Sequence, residues 1–431
     1  METLLHYVWK YKFFSNVQLE TTDGQPLEII DPGLHNTHAG PDFFNAKIRI
    51  GQRLWAGNVE IHSRSSDWYT HRHERDKAYN SVILHVVEIR DTDHPVTDES
   101  GRSIPQVCLQ IPESIRQNYE LLQSARKEFP PCAARVREIP RVYLTDWMSA
   151  LACERLDRKT DAVRKLLSDY KGDWNAVFYI VLSRNFGFGI NNDAFERLAR
   201  SLPLKYLLKH KDSTVQTEAL FFGQAGLLEA DADDNAYCLS LQQEYRFLRA
   251  KYRLKPLEAH LFKSLRIRPN NFPHIKIAQL ASFSRSIETL FSKIIETLSL
   301  DELRKCFVIQ LPEYWLTHYR FGKVSVKRQK VLGISAVNLI LINTVGPLLA
   351  AYGKTKQRQD LYDRACRLYE QLPPERNSIT LPYEKAGISM TNACDSQALI
   401  QLKQAYCDPH KCIYCRIGYK LLSKQPDADC T

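Results

Sequence analysis

The sequence predicts an α/β domain followed by a larger all-helical domain. Two changes along the chain carry this reading. Before residue 110, short apolar runs bounded by Gly and Pro alternate with stretches of helical spacing, whereas beyond residue 140 apolar residues recur at i, i+3, i+4 and i+7. Charge changes in the same place: residues 1–130 hold 14 Lys and Arg against 18 Asp and Glu, and residues 131–431 hold 45 against 31. "RKEFPPCAARVREIP", residues 126–140, has three prolines and reads as the linker. The expected domains are therefore 1–128 and 141–424.

The first domain reads as helix, three strands, helix, strand. "TLLHYVWKYKFF" has apolar residues at helical spacing, and "LEIIDPG" is a strand stopped by Pro32-Gly33. "FFNAKIRI" and "RLWAGNVEIH" suit the arms of a hairpin joined through Gly51-Gln52. "SSDWYTHRHERDKAYN" contains neither proline nor glycine and predicts a helix capped by Ser66 or Asp67. "SVILHVVEI" is nearly continuous apolar sequence, as in a strand buried on both faces, and closes a right-handed crossover. The order is αβββαβ, a mixed sheet.

In the second part, "YLTDWMSALACERL" places Leu144, Trp147, Met148 and Leu151 on one helical stripe. "AFERLARSL", "LSLQQEYRFLRAKY", "SIETLFSKIIETL" and "DLYDRACRLYEQL" repeat the pattern without a fixed period. "VLGISAVNLILINTVGPLLAAYG", residues 331–353, contains no charged residue and is long enough to cross a bilayer. Asn338 and Asn343 within it, and a break expected at Gly346-Pro347, favour a core helix and no membrane. The composition, 44% apolar and 25% charged, is that of a soluble globular protein, and eleven cysteines with no secretory leader pattern at the start suggest a cytoplasmic chain.

Chemistry concentrates in the hairpin. With a three-residue turn at 51–53, Asp42 stands opposite His62 and diagonal to Glu60, and all three share a face with Phe44, Ala46, Ile48, Ile50, Leu54 and Ala56. A one-residue slip would separate the acids. Two carboxylates held close repel unless a cation intervenes, and such a pair suits Mg²⁺ or Mn²⁺. The competing reading is an ordinary hairpin with Asp42 in a turn and Glu60 in an ion pair.

Pro41-Asp42 and Glu60-Ile61-His62, in this element order over roughly residues 1–95, resemble the PD-(D/E)XK nuclease superfamily. The resemblance implies a restriction-endonuclease-like αβββαβ fold, with Asp42, Glu60 and the Ile61 carbonyl as metal ligands. It departs at His62, where that family has lysine; a histidine there is a base, a ligand, or the mark of a silent homologue. Lys77, expected on the crossover helix, is the candidate replacement, since Lys47 projects from the other face. The whole chain also resembles an uncharacterised bacterial domain-of-unknown-function family, which implies no activity.

Seven of the thirteen histidines lie between positions 35 and 94. Of these, His38, His71 and His73, with Asp76, are expected to line the cleft behind the ligands. On one helix His71 and His73 do not face each other, so a zinc site from that pair is not expected.

Five of the eleven cysteines fall at or beyond position 394. Cys394, Cys407, Cys412 and Cys415 form a candidate structural site for zinc or an iron–sulfur cluster, with His410 as an alternative to Cys394. Buried or free thiols are the competing reading. The basic surplus points to a polyanion, although it also suits solvated helix faces. Arg266, Arg268, Lys327, Arg328 and Lys330 are candidate phosphate contacts, while Tyr252, Phe262 and Phe272 read as core. "FGFG" at 186–189 and "FGQAG" at 222–226 follow no expected strand and support no nucleotide loop. The sequence thus favours a metal-dependent nuclease, with a catalytically silent nucleic-acid-binding or scaffolding protein as the alternative and a small-phosphate hydrolase third.

Overall fold

The computed structural model describes residues 2–14, 18–125, 129–230 and 235–424. It divides into two compact units, Met1–Leu144 with Gln404–Thr431, and Thr145–Lys403. The cysteine-rich segment from Gln404 therefore belongs with the first unit, and not with the helical domain as its position in the sequence suggests. The edge expected at residue 128 lies outside the described residues. The rest of the expected linker is packed: Val136 and Ile139 are buried, and Arg135 donates to the Asn118 side chain at 2.8 Å.

The first unit opens with helix α1 (Glu2–Lys10), which buries Leu4, Leu5, Tyr7, Val8 and Trp9 and packs on the sheet. The strands are β1 (Leu19–Glu20), β2 (Pro26–Asp31), β3 (Leu34–His35), β4 (Phe43–Ile50), β5 (Arg53–Arg64), β6 (Val82–Ile89) and β7 (Gln106–Cys108). Their order is β1-β2-β4-β5-β6-β7, with β3 beside β4. Strands β2, β4 and β5 are antiparallel, whereas β6 and β7 run parallel to β5, giving the mixed sheet. β6 is buried from Val82 through Val87, as its apolar run predicts.

The β4–β5 register corrects the expected one. Ile50 pairs with Arg53, so the turn is the two residues Gly51-Gln52. A bulge between Phe43 and Ala46, with Asn45 at φ 57°, then shifts the register once more, so that Phe43 pairs with Val59. The bulge also changes which residues face inward. Phe43 is fully buried, in series with Ala46, Ile48 and Ile50, while Leu54 is 66% exposed and Ala56 is exposed.

The long crossover helix is corrected too. Only α2 (Asp67–Thr70) is α-helical; Arg72 turns left-handed at φ 63°, and 3₁₀ turns follow at His73–Arg75 and Lys77–Tyr79. Asp76 is extended, and its carboxylate accepts the Ala78 N–H at 2.9 Å, a local bond that competes with helix continuation. Helix α3 (Glu113–Ser124) follows the sheet.

The second unit is helical. Trp147, Met148 and Leu151 are buried in the helix Arg141–Asp169, and helices Asn192–Ser201, Ala236–Tyr252, Ile287–Glu296 and Gln359–Gln371 cover the other predicted stripes. The apolar stretch forms one helical run, Ile334–Lys356, 72% of whose most apolar window is buried in the protein. Gly346-Pro347 does not break it. A π-turn at Leu341–Val345 precedes the proline, and the bare Gly346 lies where a Cβ would meet the Tyr369 ring at 2.4 Å.

Candidate metal centre

One face of the mixed sheet carries a buried polar row. The parallel register sets Glu60 beside His85 and His85 beside Gln106, so side chains from β5, β6 and β7 project together. Glu60, His62, His85 and Gln106 are all buried, and the alternate positions, Ile61, Val86 and Val107, make an apolar opposite face. Buried polar groups require partners, and these supply one another. His62 Nδ1 lies 2.9 Å from His85 Nε2, and the Gln106 amide lies 3.0 Å from His85 Nδ1.

Asp42 joins this row through the bulge, which leaves it next to Glu60 and not opposite His62 as expected. Each acid accepts a backbone N–H from the neighbouring strand: Asp42 N donates to Glu60 Oε2 at 3.1 Å, and Ile61 N donates to Asp42 Oδ2 at 2.9 Å. Ile61 thus enters the site through its N–H. The Glu60 carboxyl is pushed up to about 9, first by burial and then by the charge of Asp42.

Glu60 Oε1 lies 3.4 Å from His62 Nε2 and 3.3 Å from His73 Nε2. His71 Nδ1 approaches His62 Nε2 at 3.1 Å. The left-handed Arg72 turns the chain between His71 and His73, whose rings stand 5.5 Å apart. The two histidines therefore do meet, contrary to expectation, because the segment is no continuous helix. Burial, with the charges of His73, His71 and His6, lowers the His62 pKa to about 3, and burial lowers those of His73 and His85. Tyr79 stacks on His73 at 3.7 Å.

Sequence reasoning missed His6, Gln106 and Tyr79 and placed His85 only among the clustered histidines. His6 projects from α1, with Nε2 3.4 Å from Asp42 Oδ2. Burial disfavours its charged form, but the pairing with Asp42, and the charges of Asp42, Glu2 and Glu60, raise its pKa overall. Its only sequence signal is a titratable residue within the apolar run Leu4–Trp9.

Other candidates fall elsewhere. Lys77 is 83% exposed and lies 3.9 Å from Glu99, so it supplies no lysine to the acids. His38 is exposed in a loop ordered by Asn36. Asp76 caps a 3₁₀ turn and reaches His73 by its charge alone. Arg266, Arg268, Lys327 and Arg328 are exposed in the second unit, but Lys330 is buried, with Nζ donating to the carbonyls of Trp315 and Leu316. Phe262 is buried, and Tyr252 stacks on Tyr206 at 4.2 Å.

Cys394 stands apart from the other expected cysteines. Cys394 lies in the second unit, where Cys366 and Cys153 are among its neighbours. The thiol that feels Cys415, Cys407 and Cys412 is Cys132, pushed well above the ordinary thiol range first by burial and then by those three. All four belong to the first unit.

The fold and site define a mixed-sheet protein with a buried carboxylate–imidazole centre, continued by a helical unit. The chain belongs to a family of proteins of unknown function, DUF2851, whose model matches residues 2–378. No curated protein and no solved structure matches it.

Proposed function

We propose that the protein is a divalent-metal-dependent phosphodiester hydrolase whose centre is built on Asp42, Glu60 and the surrounding imidazoles. The observation that carries this reading is the clasp of two acids at adjoining strands, with Glu60 Oε2 3.1 Å from Asp42 N, walled by uncharged histidines. The donor set fits a cation: one acid must otherwise hold a proton, and His73 Nε2 is buried with no hydrogen-bond partner. When bound, a divalent ion offsets the charge that develops on a phosphodiester.

The chain's own residues supply the rest. Asp42 and Glu60 are held in place by backbone N–H groups, so little reorganisation accompanies binding. His6, whose pairing with Asp42 favours its charged form, takes the electrostatic role that the superfamily gives to lysine. The surplus of Lys and Arg beyond residue 130, including Arg266, Arg268, Lys327 and Arg328, suits contact with nucleic-acid phosphates. The observation favouring a silent binding protein instead is the missing lysine, since Lys77 points to solvent.

Incubation with single- and double-stranded DNA and RNA in Mg²⁺, Mn²⁺ or Zn²⁺ tests the proposal. Cleavage lost in both Asp42→Ala and Glu60→Ala is expected. Salt-sensitive binding without cleavage would establish the silent alternative, and no interaction with any of the four substrates would remove nucleic acid from the reading.

A further inference from the structure

Three imidazoles close on a single point in the first unit: one ligand atom from each of His62, His71 and His73 lies within 4.8 Å of the others. They arrive from different local structures. His62 stands on β5, His71 follows α2, and His73 opens a 3₁₀ turn. Glu60, on the same face of β5 as His62, sets a carboxylate oxygen beside His62 and His73.

The spacing is informative. A tetrahedral ion with bonds of about 2.0–2.1 Å needs neighbouring donor atoms about 3.3–3.4 Å apart. Glu60 Oε1 to His62 Nε2 is 3.4 Å, Glu60 Oε1 to His73 Nε2 is 3.3 Å, and His62 Nε2 to His71 Nδ1 is 3.1 Å. His73 is 8% exposed, and its Nε2 points into this space without a hydrogen bond. His71 is the exposed member and leaves an entry path. Imidazole nitrogen is a donor that Mg²⁺ seldom takes and that Zn²⁺ or Co²⁺ favours.

We propose that His62, His71 and His73 bind one divalent transition-metal ion of the zinc class through three nitrogens, with the Glu60 carboxylate beside His62 and His73. This refines the hydrolase reading by naming the metal of the same centre, but binding does not require that reading to hold. The polar row behind His62 sets the ligand's tautomer. As the Gln106 amide stands, its NH₂ donates to His85 Nδ1, His85 Nε2–H donates to His62 Nδ1, and the proton of His62 sits on Nε2. Half a turn of the Gln106 amide presents its oxygen to His85. Each imidazole then carries its proton on Nδ1, and His62 Nε2 has a lone pair for the ion. A ligating histidine characteristically donates its second N–H in this way. Gln106 is thus a positioning residue, acting on the ion through His85 and His62.

Cobalt titration of the full-length, chelator-treated protein tests this by visible absorption. The expected result is one equivalent with d–d bands that lack sulfur-to-cobalt charge transfer, displaced by Zn²⁺ and not by excess Mg²⁺. His71→Ala, at an exposed position with little bearing on folding, and His73→Ala weaken binding at least about tenfold. Gln106→Leu weakens it about tenfold as well, whereas Gln106→Glu, which accepts from His85, retains it. A signal carried only by thiolate bands, unchanged in His71→Ala and His73→Ala, overturns the site. Wild-type affinity in Gln106→Leu overturns the relay. Cleavage without the imidazole signal sinks this inference and leaves the hydrolase; the signal without cleavage does the reverse.

Discussion

At the scale of single residues, burial decides protonation. In the second unit Glu218 is 1% exposed, accepts the Trp315 indole N–H at 2.8 Å and the Tyr237 hydroxyl, and is pushed up to about 7 by burial. Below the unfolded value near 4.5 the group is protonated in both states, and its contribution to stability is complete. As pH rises the unfolded chain gives up the proton first, so the contribution falls and is lost as pH passes about 7. Glu218→Gln keeps an acceptor for Trp315 and removes the titration. The variant is expected to be more stable than the parent at pH 8, on the order of 3 kcal/mol, and to match it near pH 4.5. Denaturant unfolding at the two pH values reads the difference. The acid pair and His62 were legible because their residue types and strand parity are local. His6 and Gln106 were not, since only the three-dimensional sheet and helix bring them to the same centre.

At the scale of elements, the hairpin shows how a site survives an incorrect register. The turn is one residue shorter than expected and the Asn45 bulge shifts the pairing by one more in the same direction, so the two shifts together preserve parity and Asp42 still shares a face with Glu60. The sequence carries a hint of this in an Asn amid strand-forming residues, since Asn tolerates the left-handed region. Asn45→Gly is expected to leave stability nearly unchanged, whereas Asn45→Val costs about 1–2 kcal/mol by equilibrium unfolding. Gly57 imposes a second constraint: a Cβ there would meet Ile83 Cγ2 at 2.4 Å and the Ser81 carbonyl at 2.8 Å. Gly57→Ala should destabilise the chain by about 1–3 kcal/mol and shift the thermal midpoint downward. Continuous helices and buried strands were readable from period. The segment after β5 was not, because its interruption depends on the backbone of Arg72 and the local bond of Asp76.

At the scale of the whole molecule, the charge imbalance makes a measurable claim. If the exposed Arg266, Arg268, Lys327 and Arg328 each neutralise a phosphate, their joint replacement by alanine lowers the salt slope of duplex binding by roughly 3–4. An unchanged slope would assign the basic surplus to solvated surface. The cysteines give a second claim. If Cys132, Cys407, Cys412 and Cys415 hold a metal, it is expected to disappear in Cys132→Ser and to persist in Cys394→Ser, as read by elemental analysis of untagged protein. Sequence spacing pointed to the last three, but Cys132 lies far upstream of Cys407, before the whole helical unit, and has no local signal.

The first unit is assembled from both ends of the described chain. The Tyr7 hydroxyl donates to the Tyr419 carbonyl at 3.2 Å, and the Asn118 amide donates to the carbonyls of Leu422 and Lys424. During translation all the strands of the sheet leave the ribosome before residues 145–403, but the first unit is completed only when the segment from Gln404 follows the helical unit. A gene fragment ending at residue 144 would express the acids and imidazoles on a scaffold lacking its final helix, Arg416–Leu422.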